Sequence, residues 1–202
     1  LLKLLGINFN TIPVLDLNLK NSHKIISDRS FSNNPKIVSE IGDFVIKKLH
    51  ENKCISIIKH IPGHGRAKSD SHLTLPVVGK SLNFLKKNDF LPFKNKKSLL
   101  AMTAHILYKK IDNKYCATHS HKIIQIIRRD IGFKNLLITD DISMKALKYS
   151  LSLNTKLAFS AGCDLVLHCN GDLKQMKKVA KNSPLLSEFV IKKTSQIIKK
   201  LS

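Results

Sequence analysis

A chain of 202 residues with 43% apolar residues, 8 Gly and 6 Pro can bury one sizeable core and has too few turn formers for a disordered segment. Its formal net charge of +21 is almost all Lys, the only arginines being Arg29, Arg66, Arg128 and Arg129, and it comes without the Arg clusters or aromatic platforms of nucleic-acid modules. That charge predicts solvated helix faces and salt-sensitive adhesion to polyanions rather than a specific nucleic-acid partner, and the absence of any 18-residue apolar run or of a cationic-then-apolar start predicts no membrane span and no signal peptide.

In chain order, Leu1-Leu2-Lys3-Leu4-Leu5 reads as the end of a helix. A strand is predicted over 7–15 and a helix over 36–50. In that helix Ile37, Ile41, Phe44, Val45 and Leu49 recur at helical spacing and form a stripe expected to face the core. A strand at 54–59, a helix at 79–87 and a strand at 99–104 follow. The helix expected at 119–131 carries its own stripe of Ile123, Ile126, Ile127 and Ile131. A strand at 135–139, a helix at 145–161, a strand at 164–168 and helices at 172–182 and 185–201 complete the series. Alternating β and α runs predict a parallel sheet with covering helices. No repeat or linker divides the chain, so residues 1–202 are expected to form one domain. Cys54, Cys116, Cys163 and Cys169 show no disulfide framework. Reduced thiols in a cytoplasmic protein are the expectation.

The most informative stretch is Lys59-His60-Ile61-Pro62-Gly63-His64-Gly65, continuing to Asp70-Ser71-His72. It leaves an apolar strand and carries ionisable side chains, which is where α/β proteins place chemistry. Glycines on both sides of His64 predict a pliable loop that backbone can bring close to a ligand. Asp70 and His72 are two residues apart, so an extended backbone points both to one side. A carboxylate beside an imidazole fixes its tautomer and favours its cationic form, which is how a general acid/base is built. His60, His64, Asp70 and His72 also have the chemistry of metal ligands, but their spacing matches neither H-E-x-x-H nor C-x-x-C. No metal and no cofactor are expected.

The second informative stretch is Leu136-Leu137-Ile138-Thr139-Asp140-Asp141-Ile142-Ser143-Met144-Lys145, an apolar strand running into two carboxylates. A carboxylate at the C-terminal end of a barrel strand can attack an electrophilic carbon or accept a proton. Asp140 is assigned to chemistry, and Asp141 to capping the helix expected after it.

Taken together, these stretches resemble the bacterial β-N-acetylglucosaminidases of glycoside hydrolase family 3. Pro13-Val14-Leu15-Asp16, Asp28-Arg29-Ser30-Phe31 with Pro35, and Ala161-Gly162-Cys163-Asp164-Leu165-Val166-Leu167 fit the same family in order and spacing. The resemblance implies a (β/α)8 TIM-type barrel, here incomplete, with about five of its βα units. It implies Asp140 as nucleophile, His72 as general acid/base and Asp70 as the carboxylate paired with that His. It implies Arg29, Lys59 and His60 as the residues that hold sugar hydroxyls. The implied reaction is double displacement with retention on N-acetylglucosaminyl groups of anhydromuropeptides, an anionic substrate from cell-wall recycling. The implied full-length form is a monomer. The family's first strands, with further sugar-contacting Asp and Arg residues, have no counterpart in this sequence, which reads as the latter part of a barrel. Two other functions compete: an inactive or sugar-binding remnant of that fold, and a basic nucleic-acid-associated protein.

Overall fold

The structure is a computed structural model that describes residues 2–20, 23–24 and 26–201. Leu1, the first residue of the segment read as a helix end, lies outside the described residues; Lys3–Leu5 forms a single 3-10 turn. The strands are β1 (Phe9–Asn10), β2 (Ile55–Ile61), β3 (Val77–Val78), β4 (Leu100–Thr103), β5 (Leu107–Tyr108), β6 (Leu136–Asp141) and β7 (Leu165–Leu167). The helices are α1 (Pro35–Glu51), α2 (Leu82–Lys87), α3 (His121–Arg129), α4 (Leu151–Ala161), α5 (Leu173–Asn182) and α6 (Glu188–Leu201). Five strands form one parallel sheet in the order β1-β2-β4-β6-β7, and β3 pairs with β5 in a small second sheet. The main sheet follows chain order and is open: among the described residues β1 and β7 each pair on one side only. A closed barrel of this type has eight strands.

Strand periodicity sorts the core into two layers. Ile58, Ala101 and Leu137 point to the face covered by α1 through Val38 and Ile46, by α3 through Ile123, Ile124 and Ile127, and by α4 through Ala158 and Ala161. Their neighbours Ile55, Ile57, Leu100, Met102 and Leu136 point to the opposite face. Val190 and Ile197 of α6 cover that second face.

The helix starts follow capping chemistry. Asn34 accepts from the Lys36 main-chain N–H at 2.9 Å with Pro35 in the first helical turn. Ser120 caps α3 through Ile123 and Ser150 caps α4 through Leu153. Gly162, at φ 110°, ends α4 in the left-handed region.

Several expected boundaries move. The strand at 7–15 contracts to Phe9–Asn10 plus one bridge from Val14 to Lys59, because Pro13 has no N–H to donate to a ladder. The helix at 79–87 starts at Leu82, where Ser81 supplies a cap. The helix at 145–161 starts six residues late, at Leu151. The stripe expected on α1 is not its core face: Ile37 is 44% and Phe44 61% exposed, whereas Val38, Gly42 and Ile46 are buried. The reason is Gly42, since a Cβ there would overlap the Leu15 side chain, so the helix docks through its glycine and turns the heavier stripe outward. No helix of the described residues is long and apolar enough to cross a membrane.

Candidate active site

β2 and β6 end on the same side of the parallel sheet, and their last residues build the site. Asp140 is the penultimate residue of β6, with its side chain 19% exposed. Its Oδ1 accepts from the Asp141 main-chain N–H at 2.8 Å. Its Oδ2 faces His60 Nε2 at 3.8 Å. Burial alone would raise the Asp140 pKa, but His60, His105, the Asp141 N–H and Lys59 together outweigh it and hold the carboxyl below its ordinary range. The group is therefore a carboxylate at neutral pH.

His60 is set from behind by Asp16. The pairing of β2 with β4 slips between Lys59 and Ile61, and the irregularity turns the buried His60 toward Asp16. His60 Nδ1 donates to Asp16 Oδ2 at 2.6 Å, and because a carboxylate only accepts, that nitrogen carries the hydrogen. Asp16 also accepts from the main-chain N–H groups of His60 at 3.2 Å and His64 at 2.6 Å. Burial opposes ionisation of Asp16, but its contacts with His60 and His64 prevail and its pKa is lowered. A chain of contacts thus runs from Asp16 through His60 to Asp140.

Lys59 extends from the same strand and donates to Thr11 Oγ1 at 3.1 Å. Burial, then the nearby Arg29, depress its pKa, while Asp140 and Asp16 support its charge. Arg29 ends the 3-10 turn Ser27–Arg29 and lies close enough to Lys59 to depress its pKa. Lys59, His60 and Asp140 are therefore assembled on one end of the sheet, with Arg29 near Lys59.

The loop beyond β2 is packed rather than pliable. A Cβ on Gly65 would collide with the Leu17 carbonyl, and Gly63, at φ 143°, lies against Asp89. The Tyr108 hydroxyl donates to the Gly63 carbonyl. His64 is buried, its pKa pushed down to about 4 by burial and then by His60, and its Nε2 lies 3.0 Å from Ser71 Oγ. Asp70 and His72 do meet, through a turn and not an extended segment: Asp70 Oδ1 accepts from both the main-chain N–H and Nδ1 of His72, each at 2.8 Å. Those bonds outweigh burial and lower the Asp70 pKa. The His72 side chain is 60% exposed, and among the described residues no hydrogen bond or ion pair joins it to Asp140. The four residues weighed as metal ligands have other commitments: His60 to Asp16, His64 to Ser71, and Asp70 to His72. Among the described residues no group of three His, Cys, Asp or Glu side chains gathers for a metal ion.

The profile of the glycosyl hydrolase family 3 N-terminal domain matches residues 2–200. The chain belongs to glycosyl hydrolase family 3. Among its family 3 relatives, a β-hexosaminidase of Neisseria meningitidis serogroup C (strain 053442) is 38% identical over 170 residues, which is 82% of this chain and 47% of that protein. The chain thus spans about half the length of the curated relatives it matches. Of the solved structures, native NagZ from Neisseria gonorrhoeae superposes with a TM-score of 0.87 at 33% identity, covering 97% of this chain and 58% of that one. A family 3 β-N-acetylglucosaminidase from Paenibacillus sp. gives a TM-score of 0.88 at 26% identity, covering 98% of this chain and 40% of that one. The fold is accordingly an incomplete α/β barrel of the TIM type.

Within this family 3 chain, sequence reasoning misassigned one residue and passed over two. Asp141 does not cap a helix. It is the last residue of β6, and its carboxylate accepts from Ser143 N–H at 3.0 Å and Ser143 Oγ at 2.8 Å, closing the turn after the strand; the cap of α4 is Ser150. Asp16 was legible only as part of a resemblance, yet it is a fully buried carboxylate behind His60. His105 follows the apolar run of β4 and is buried, with Nε2 3.1 Å from the Asp141 carbonyl and Nδ1 2.7 Å from Thr118 Oγ1. Its signal was an ionisable residue directly after a strand, the same one that marked His60 and Asp140.

Proposed function

We propose that this chain carries the reacting groups of a retaining β-N-acetylglucosaminidase, within a single barrel domain over residues 1–202. Asp140 attacks the anomeric carbon while His72 protonates the leaving oxygen, giving a glycosyl-aspartate. His72 then takes a proton from water, and the resulting attack releases the sugar with its configuration retained. Asp70 is the carboxylate paired with His72 and orients its ring, and Arg29, Lys59 and His60 hold the sugar hydroxyls. The observation that carries this reading is the state of Asp140: half-buried at a strand end, ionised, and faced by His60 and Lys59. An imidazole in place of a second carboxylate adds no anion to oppose that ionisation.

The substrate is a terminal non-reducing β-linked N-acetylglucosamine, carried on an anhydromuropeptide in the cytoplasm, and neither a metal nor a cofactor takes part. The relatives' names, β-hexosaminidase and β-N-acetylglucosaminidase, support the sugar. The test is hydrolysis of a chromogenic N-acetylglucosaminide, with the first-formed anomer read by NMR. An α-anomer from the β-linked substrate would defeat the proposal.

One observation favours a second reading, a sugar-binding remnant: His72 is exposed and lacks a contact with Asp140. Binding of N-acetylglucosamine without turnover of any N-acetylglucosaminide would select it.

A further inference from the structure

Asp140 is faced by Lys59 and His60 from β2, with His64 behind them, by Asp141 on its own strand, by Cys169 beyond β7, and by His105 beyond β4. The proposed reaction uses all of these for binding, for the turn, or not at all, and His105 belongs to the last group. It is 1% exposed, an expensive place for an imidazole unless its nitrogens are satisfied. Both are. The Asp141 carbonyl can only accept, so Nε2 carries a hydrogen. Burial and the nearby His60 lower the His105 pKa, and the Asp140 carboxylate pulls the other way. In the resulting neutral ring Nδ1 is an acceptor, and the Thr118 hydroxyl at 2.7 Å donates to it. Thr103 Oγ1, 2.9 Å from Thr118 Oγ1, can donate in turn. The chain of donors therefore runs Thr103 to Thr118 to His105 to the Asp141 carbonyl.

Asp141 joins this chain to the nucleophile. Its C=O is held by His105, and its N–H donates to Asp140 Oδ1 at 2.8 Å. We propose that His105 is a positioning residue that acts through the Asp141 main chain to fix Asp140, holding Oδ1 and presenting Oδ2 as the attacking oxygen. This rests on Asp140 being the nucleophile. Oδ2 is the oxygen that faces His60.

The experiment compares His105→Leu, which removes both ring contacts, with His105→Gln, which keeps an amide N–H for the carbonyl. His105→Leu should lower kcat about 10–100-fold with KM unchanged, as expected when a reacting group is misplaced by a fraction of an ångström to an ångström. The loss should be the same for good and poor leaving groups, and His105→Gln should recover most of it. Thr118→Val, which removes only the Nδ1 partner, should give a smaller loss in the same direction and covers the case in which His105→Leu does not fold. An unchanged kcat in His105→Leu would overturn the proposal. So would a kcat loss in all three variants that simply follows their loss of thermal stability. A second readout separates this inference from the glycosidase reading. If the wild type hydrolyses no N-acetylglucosaminide, the Asp140 carboxyl is titrated by ¹³C NMR instead. A rise in its pKa in His105→Leu that reverts in His105→Gln keeps the positioning role, and no change removes it.

Discussion

At the end of β6, Asp140 is 19% exposed, one oxygen accepts from the next main-chain N–H, and two histidines, one from β2 and one from beyond β4, stand near it, each anchored by a buried partner. At the Asp70–His72 turn, the His side chain is 60% exposed and its ring bonds to the neighbouring carboxylate. The two reacting groups of the proposed mechanism are therefore built differently. The proposed nucleophile is held by the sheet, where fixed dipoles act with little reorganisation. The proposed acid/base is a local unit, a turn with its own carboxylate, and among the described residues no hydrogen bond or ion pair joins it to Asp140. The link between the two regions is His64, which takes a main-chain position on Asp16 and a side-chain contact to Ser71.

The strongest way to break this comparison is at Asp140. Asp140→Asn should abolish turnover, a fall on the order of 10⁴-fold or more, while sugar binding persists. A 2-fluoro sugar should leave a label that peptide mass spectrometry maps to Asp140, and a label on Asp141 would refute the assignment. His72→Ala should be selective instead. Poor leaving groups should slow about 10²–10⁴-fold and good ones much less, because a leaving group of low pKa needs no proton. Equal slowing would take His72 out of the acid role, and Asp70→Ala should copy His72→Ala more mildly.

The two carboxylates that support the histidines sharpen the contrast in stability. Asp16→Ala strips partners from two buried N–H groups and from His60, and should cost about 3–5 kcal/mol in denaturant unfolding. Asp70→Ala breaks a turn pair at the surface and should cost no more than about 1 kcal/mol. Similar losses for both would mean that the dyad is as deeply built as the nucleophile.

Acid should separate the regions again. His64 and His119 have pKa values pushed down to about 4 by burial, below the 6.5 of an unfolded histidine. Between those values the unfolded chain binds protons that the folded chain refuses, so stability is full above pH 6.5 and falls as pH drops toward about 4. Each group contributes a loss on the order of 3 kcal/mol across that window. Thermal unfolding followed from neutral pH downward checks this, and a flat profile would contradict the burial of His64. The smallest effect should come from EDTA, which is expected to leave hydrolysis unchanged because His60, His64 and His72 are each committed to protein partners.

The reading from sequence succeeded where one residue type at one spacing has one physical use. Alternating apolar runs gave the parallel order, and Asp70 and His72 were close enough in the chain to meet by any local geometry. It failed where a distant neighbour decides. The α1 stripe looked like core because its residues are large, but Leu15 fits only against Gly42, and that contact rotates the helix. Asp141 was given the helix start because nothing local marks how many residues a turn will take before Ser150 caps α4. Asp16 lies 44 residues before His60, and no periodicity links them. His105 shared a visible signal with His60 and Asp140 but lacked a neighbour in sequence to give it meaning.

The cover that α6 provides has a consequence for how the protein is made. Ile55, Ile57, Leu100, Met102 and Leu136 lie on a sheet face that Val190 and Ile197 conceal, and those two residues are synthesised long after the strands they protect. During translation the helices on the other face can dock as each one emerges, while this face stays wet and adhesive until α6 is out. The newborn chain is thus most exposed to aggregation in the interval between the emergence of β6 and that of α6. A ribosome that stalls between α5 and α6 would hold a product with its strands formed and one apolar face bare, a natural client for a chaperone that recognises apolar surface.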